Sequence, residues 1–211
     1  TRKESSAASD VYKRQNINTI PVLDVLRSNT SKVINNRSFS TKKEIVKILG
    51  NITVNECHSK KIVSVVKHIP GHGCAVSHSN FMMPKVNLSY KKLIDTDCFP
   101  FKSNSAKIAM TAHILYKKID PLNVCTFSKK IINEIIRKKI RFKGILMSDD
   151  ISMKALKYDI YQNARLALNA GCNLVLYCAG NINDNFKLIK SVPYIDKFTS
   201  KKTSEIYKFL R

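Results

Sequence analysis

From Ile17 onward, short apolar runs alternate with longer stretches in which apolar residues recur every three or four positions. The short runs read as strands at 20–25, 62–67, 107–111, 144–147 and 174–177. The central ones are rich in β-branched residues, as in Ile62-Val63-Ser64-Val65-Val66. The longer stretches read as helices. Thr41 to Leu49 carries Glu44 three residues after a Thr41 N-cap, and Gly50 stands just past its end. Ser128 to Lys139 presents Ile131, Ile132, Ile135 and Ile136 on one face, with Ile140 following. Ile160 to Asn169 ends at Ala170-Gly171, and Asn183 to Val192 is the last helix the pattern predicts. Strands alternating with helices predict βαβ units around a parallel sheet.

Polar residues follow these strands directly. Asp24 ends the first, Lys67-His68 the second, Thr111-Ala112-His113 the third and Ser148-Asp149-Asp150 the fourth. In an α/β barrel the site is assembled from the C-terminal ends of several strands. Asp24, Lys67, His113 and Asp149 are therefore expected at one end of the sheet.

Composition narrows the reading. The chain has 211 residues, 44% of them hydrophobic, enough for one sizeable core. No stretch approaches the roughly 20 apolar residues of a membrane helix, and the polar N-terminus has no signal-peptide core. The six cysteines form no CxxC pair, so they read as free thiols, mostly buried. A net charge of +22 invites a nucleic-acid reading. The excess is mostly lysine, spread along the chain in pairs such as Lys60-Lys61 and Lys138-Lys139. Lys, Asn and Ile share AT-rich codons, so base composition accounts for the bias and no specific nucleic-acid partner is expected. Residues 1–15 show no periodicity. Their string AASDVYKRQ resembles a translated sequencing adapter, so a non-native extension is expected there, with one partial barrel domain over 16–211.

Two segments carry candidate chemistry. At Ser148-Asp149-Asp150 a carboxylate at a strand end can attack a sugar C1 and form a glycosyl ester; helix capping is the structural alternative and suits Asp150. At Lys67-His68-Ile69-Pro70-Gly71-His72-Gly73 a tight loop follows a strand. Its Lys and His can donate to sugar hydroxyls or stand solvated on a structured turn. His68, His72 and His78 match no metal-ligand spacing, so no metal is expected.

KHIPGHG at 67–73, MTAHILY at 110–116, GILMSDDISM at 144–153 and AGCNLVLYC at 170–178 together resemble glycoside hydrolase family 3. Upstream, PVLDV at 21–25 and INNRSF at 34–39 are similar to that family's bacterial β-N-acetylhexosaminidases. The resemblance implies a TIM-type (β/α)8 barrel, incomplete because its first strands are missing. It implies retaining hydrolysis of terminal β-linked N-acetylglucosamine without a cofactor, in the cytoplasm, on muropeptide fragments of peptidoglycan recycling. Asp149 falls on the nucleophile, and Arg37, Lys67 and His68 fall on positions that bind the sugar. A soluble monomer with a small carbohydrate substrate and no membrane partner is expected. An open barrel of this kind is also expected to expose two strand edges and an apolar inner face.

One loop departs from the family pattern. The family's Asp-Ser-His triplet, source of the acid/base pair, falls on His78-Ser79-Asn80 when counted without gaps. Neutral Asn80 cannot shuttle a proton. A two-residue shift makes His78 the acid/base and leaves Val76 as its partner. Either way the acid/base is altered.

Overall fold

A computed structural model describes residues 15–28, 30–31, 33–75 and 83–211. In chain order the strands are β1 (Ile17–Asn18), β2 (Val63–Ile69), β3 (Lys85–Val86), β4 (Ile108–Thr111), β5 (Leu115–Tyr116), β6 (Ile145–Asp150) and β7 (Leu174–Leu176). The helices are α1 (Lys43–Ser59), α2 (Tyr90–Asp95), α3 (Ile131–Lys139), α4 (Ile160–Ala170), α5 (Ile182–Ser191) and α6 (Lys197–Leu210). Five strands form one parallel sheet in the order β1-β2-β4-β6-β7, so each connection moves one place along the sheet. This is the α/β architecture the alternation predicts, an incomplete barrel. β3 and β5 form a separate parallel pair.

Alternation along the strands sorts side chains into two layers. Val63 and Val65, Ile108 and Met110, and Ile145 are buried on one face, with Met147, Leu174 and Leu176 packed against them. Val66, Ala109 and Leu146 point the other way, into a larger core shared with α1, α3 and α4. The expectation of an exposed apolar inner face is corrected here. Ile206, Phe209 and Leu210 of α6 pack on the inner-face cluster, and Val63, Val65 and Ile145 have no solvent exposure. Patterning missed α6 because four of its fourteen residues are lysines and its apolar contacts gather near its end. Among the large apolar side chains left exposed are Ile48 and Ile52 of α1, Ile182, Phe186 and Ile189 of α5, and Leu122, Tyr194 and Ile195 between elements.

Several boundaries also move. No strand forms over the expected 20–25: β1 lies upstream at Ile17–Asn18, and 20–25 keeps an isolated bridge between Val22 and Lys67. Pro21 has no N–H to donate, and its carbonyl accepts from Lys67 N–H at 3.2 Å. Helix α1 starts at Lys43 without a Thr41 cap and runs through Gly50 to Ser59. Gly50 does not end the helix. A Cβ there would lie 2.3 Å from Leu23 Cδ2, so its role is close approach to the strand layer. α3 is wound wide: Ile140 N–H donates to Ile135 O at 2.8 Å, a five-residue step, while Ser128 Oγ accepts from Ile131 N–H as its cap.

Replacing Ile206 by Ala should lower the unfolding free energy by about 2 kcal/mol, through lost burial and a residual cavity. Tyr207→Ala, at a site 69% exposed, should change it by less than about 0.5 kcal/mol. Urea unfolding of the two variants checks this. Equal effects would mean that α6 does not seat on the inner face.

Candidate active site

The polar ends of β2, β4 and β6 converge, because parallel strands bring all their C-terminal ends to one side of the sheet. Lys67 continues the inner-face parity of Val63 and Val65, and Asp149 continues that of Ile145 and Met147. The apolar inner layers thus give way to a polar layer at this end. The β2–β4 register shifts between Lys67 and Ile69. A bulge of this kind re-aims a side chain, so successive residues Lys67 and His68 can both serve one site.

Asp24 organises the segment. It is fully buried and accepts three hydrogen bonds: from His68 Nδ1–H at 2.7 Å, from His72 N–H at 2.6 Å and from His68 N–H at 3.4 Å. Burial alone would raise its pKa, yet the charge and hydrogen bonding of the two histidine residues hold it below the usual carboxylate value. With Nδ1 committed to Asp24, His68 turns Nε2 toward Asp149, 4.0 Å from its Oδ2. That gap is too long for a direct hydrogen bond and wide enough to take a polar substrate atom. Asp149 is partly open, its side chain 22% exposed, and its Oδ1 accepts from Asp150 N–H at 2.8 Å.

Lys67 is half-buried near the same carboxylates. Its amine is held below the usual lysine value, first by burial and then by the charge of Arg37, against the opposing pull of Asp149 and Asp24. Arg37 lies on an exposed turn, where its Nε donates to Val33 O at 2.9 Å. Of the sequence candidates, Lys67 is therefore within electrostatic reach of Arg37 and Asp149, and His68 lies 4.0 Å from Asp149. His78 and Asn80 lie outside the described residues.

The loop after β2 is fixed by close packing. A Cβ on Gly73 would sit 2.0 Å from Val25 O, and one on Gly71 would sit 2.5 Å from Asp97 Cβ. Tyr116 Oη donates to Gly71 O at 2.7 Å. Arg27 grips Asp97 with two hydrogen bonds of 2.9 Å and also contacts Cys74 Sγ. Asp97 is itself fully buried, so this pair anchors the loop from below. Neither Arg27 nor Asp97 was expected from the sequence; the signal for them is a spacing of 70 residues that only the fold closes.

His113 was expected at the strand end and is found there, buried beside β6. A carbonyl can only accept, so His113 Nε2–H donates to Asp150 O at 3.0 Å and Nδ1 accepts from Thr126 Oγ1 at 2.7 Å. Burial lowers its pKa, and burial likewise lowers that of His72. The capping role expected for Asp150 is corrected: the next helix, α4, is capped by Asp159. Asp150 belongs to the strand end itself. Among the described residues no group of three or more His, Cys, Asp or Glu side chains could hold a metal ion. A cleft of 540 Å³ opens between the segments that precede β4 and β6, lined by Lys102, Lys139, Arg141 and Lys143, away from these carboxylates.

Comparison with known proteins accords with this geometry. The sequence pattern of the Glycosyl hydrolase family 3 N terminal domain matches residues 7–202. A beta-hexosaminidase of Tolumonas auensis is 35% identical over 164 residues, covering 75% of this chain and 48% of that protein. One from Haemophilus influenzae is 31% identical over 185 residues, covering 82% and 52%. The crystal structure of NagZ from Neisseria gonorrhoeae in complex with N-trifluoroacetyl-D-glucosamine superimposes with a TM-score of 0.83 at 26% identity. It covers 97% of this chain and 58% of that one. The chain thus spans about half the length of the curated relatives it matches.

Two outcomes are expected. Gly73→Ala should destabilise the protein by about 3 kcal/mol or prevent folding, since the new methyl meets backbone and not a flexible side chain. Thermal unfolding against Gly180→Ala is the comparison: nothing lies within 4 Å of a Cβ there, so that variant bears only the strain of its φ of +75°, about 1–2 kcal/mol. Stability should also fall on acidification. His72 and His113 have folded pKa values below the ordinary 6.5, so their contribution is full above that value and is lost as pH falls below it. Asp24, depressed below 3.8, adds a second loss at lower pH. Each buried histidine can add up to about 1.4 kcal/mol per pH unit to the slope. Urea midpoints that stay flat from pH 7 to pH 5 would contradict this assignment.

Proposed function

Because the chain belongs to the glycosyl hydrolase family 3 N-terminal domain family, we propose that it carries the nucleophile half of a retaining β-N-acetylhexosaminidase site. Asp149 is the nucleophile, and Arg37, Lys67 and His68 bind the N-acetylglucosamine ring. The observation that carries this reading is the partly open Asp149 carboxylate, held by one backbone N–H and facing His68 Nε2 across 4.0 Å. A nucleophilic carboxylate needs a fixed orientation and an unblocked oxygen, and this one has both.

In the first step Asp149 Oδ2 bonds to the sugar C1 while the C1–aglycone bond breaks and the departing oxygen takes a proton. In the second, water attacks C1, gives up a proton and releases the Asp149 carboxylate. Lys67 and Arg37 add positive charge near the sugar hydroxyls, and His68 is aimed by Asp24 at the space above Asp149. The proton belongs to the loop holding His78 and Asn80, which lies outside the described residues. The natural substrates are muropeptide fragments with terminal N-acetylglucosamine. The protein acts in the cytoplasm as a monomer and without a cofactor. Among the described residues no helix is long and apolar enough to cross a membrane.

A nitrophenyl aglycone leaves as a stabilised phenolate and needs little proton help. The protein should therefore cleave nitrophenyl N-acetyl-β-glucosaminide better than a muropeptide. The gap should be about 10²–10⁴-fold, measured relative to a relative with an intact Asp-Ser-His loop. Asp149→Ala should abolish both reactions. Asn80→His with His78→Asp should recover the natural substrate. Equal cleavage of both substrates by the unaltered chain would mean that another residue supplies the proton. Full activity of Asp149→Ala would remove the nucleophile assignment. Binding of N-acetylglucosamine without any cleavage would favour a second reading, a degenerate homologue, which the Asn at position 80 supports.

A further inference from the structure

The two adjacent carboxylates at the end of β6 have different surroundings. Strand parity turns Asp149 to the inner face and Asp150 away from it. Asp150 Oδ1 accepts from Ser152 N–H at 3.0 Å and from Cys178 N–H at 3.1 Å, and both its oxygens accept from Ser152 Oγ at 2.8 Å. Its carbonyl accepts from His113 Nε2–H at 3.0 Å and from Met153 N–H at 3.2 Å. Its N–H donates to Asp149 Oδ1. The β6–β7 register is irregular between Met147 and Asp150. Side chains take over from the carbonyl ladder there: Ser148 Oγ accepts from Leu176 N–H at 3.0 Å, and Asp150 takes the Cys178 N–H.

We propose that Asp150 is a positioning residue for Asp149. Its carboxylate clasps the end of β6 to the segment after β7, and the clasp fixes the direction of its own N–H. That N–H tethers Asp149 Oδ1 and leaves Oδ2 as the attacking oxygen. The inference rests on the reading of Asp149 as nucleophile. The physical ground is that one residue is held through both its side chain and its carbonyl. The side chain is gripped by donors from residues 152 and 178, and the carbonyl is gripped by the neutral His113 side chain, itself set by Thr126. A residue so held cannot swing its N–H without breaking several bonds, so the Asp149 rotamer is imposed by its neighbour. Both backbone donors meet the same oxygen, Oδ1, while Oδ2 meets only a hydroxyl that can also accept. An Asn at position 150 can therefore reproduce the clasp with its carbonyl oxygen, donating from its amide to Ser152 Oγ.

The test compares Asp150→Asn, Asp150→Ala and Asp149→Asn in the full chain, first by amide hydrogen exchange without ligand. Asp150→Ala should speed exchange at amides 152 and 178, which lose their acceptor, and also at amide 150, by about tenfold or more. Asp150→Asn should leave amide 150 nearly as protected as in the unaltered chain. Cys178→Pro deletes the donor from the segment after β7 while keeping Asp150, and should also expose amide 150; it serves if Asp150→Ala does not fold. If amide 150 stays protected in both Asp150→Ala and Cys178→Pro, Asp150 only ties a loop and the proposal is overturned. It is equally overturned if Asp150→Asn behaves like Asp150→Ala. With nitrophenyl N-acetyl-β-glucosaminide, Asp150→Ala should lose about 100-fold in kcat with KM little changed, and Asp150→Asn no more than about tenfold. Asp149→Asn should be inactive. Activity in Asp149→Asn would sink the nucleophile reading while leaving the exchange result intact, so the two failures are distinguishable.

Discussion

A carboxylate with no access to solvent organises one side of the molecule. Asp24 is costly to bury as an anion unless donors surround it. Among the described residues all its donors come from a single segment, residues 68–72. The loop after β2 must therefore fold back over the end of the first strand region. Gly73 follows from this, because the chain passes Val25 too closely for any side chain. The Arg27–Asp97 pair follows in the same way. It lies under the same loop, contacts Cys74 and buries a second carboxylate against a cation. The positions of Lys67 and His68 are consequences of how two buried anions are satisfied.

The same accounting separates Asp149 from Asp150. Asp150 has donors on both oxygens and serves the backbone around it. Among the described residues Asp149 has one, leaving an oxygen that they do not use for their own cohesion. In a fold where buried polar groups are nearly always paired, a partly open carboxylate with spare acceptor capacity among fixed neighbours marks chemistry more clearly than proximity does. Sequence reading saw the pair and divided the roles, one for chemistry and one for structure. It gave Asp150 the wrong structural task, because a helix cap is the commonest use of Asp at a strand–helix junction. Here nine residues lie between Asp150 and α4, and Asp159 caps it.

Strand order was legible, because short apolar runs alternate with helical stretches, and the polar residues that directly follow the runs mark the end at which Lys67 and Asp149 lie. Less legible were features set by single contacts across long separations. Gly50 reads as a helix stop, yet its neighbour is Leu23, and the helix continues because packing outweighs the glycine penalty of about 1 kcal/mol. Pro21 interrupts a run that reads as a full strand. α6 carries four lysines and was not read as a helix, although Ile206, Phe209 and Leu210 complete the inner cluster. The bulges at 67–69 and 147–150 leave no local signature in the sequence, and they are what place successive residues at the site.

The wide charge imbalance acts differently on the fold and on the site. Diffuse surface lysines are screened within about 8–10 Å at physiological ionic strength, so most of the +22 has little bearing on any one contact. Lys67 and Arg37 are another matter. Lys67 is half-buried, and the charge of Arg37 reaches it strongly enough to lower its pKa despite Asp24 and Asp149 nearby. Two cations set close together at a cost in desolvation and mutual repulsion are stabilised when a polar, electron-rich ligand enters between them. In the proposed function that ligand is the sugar, and part of the repulsion present in the free protein is relieved on binding.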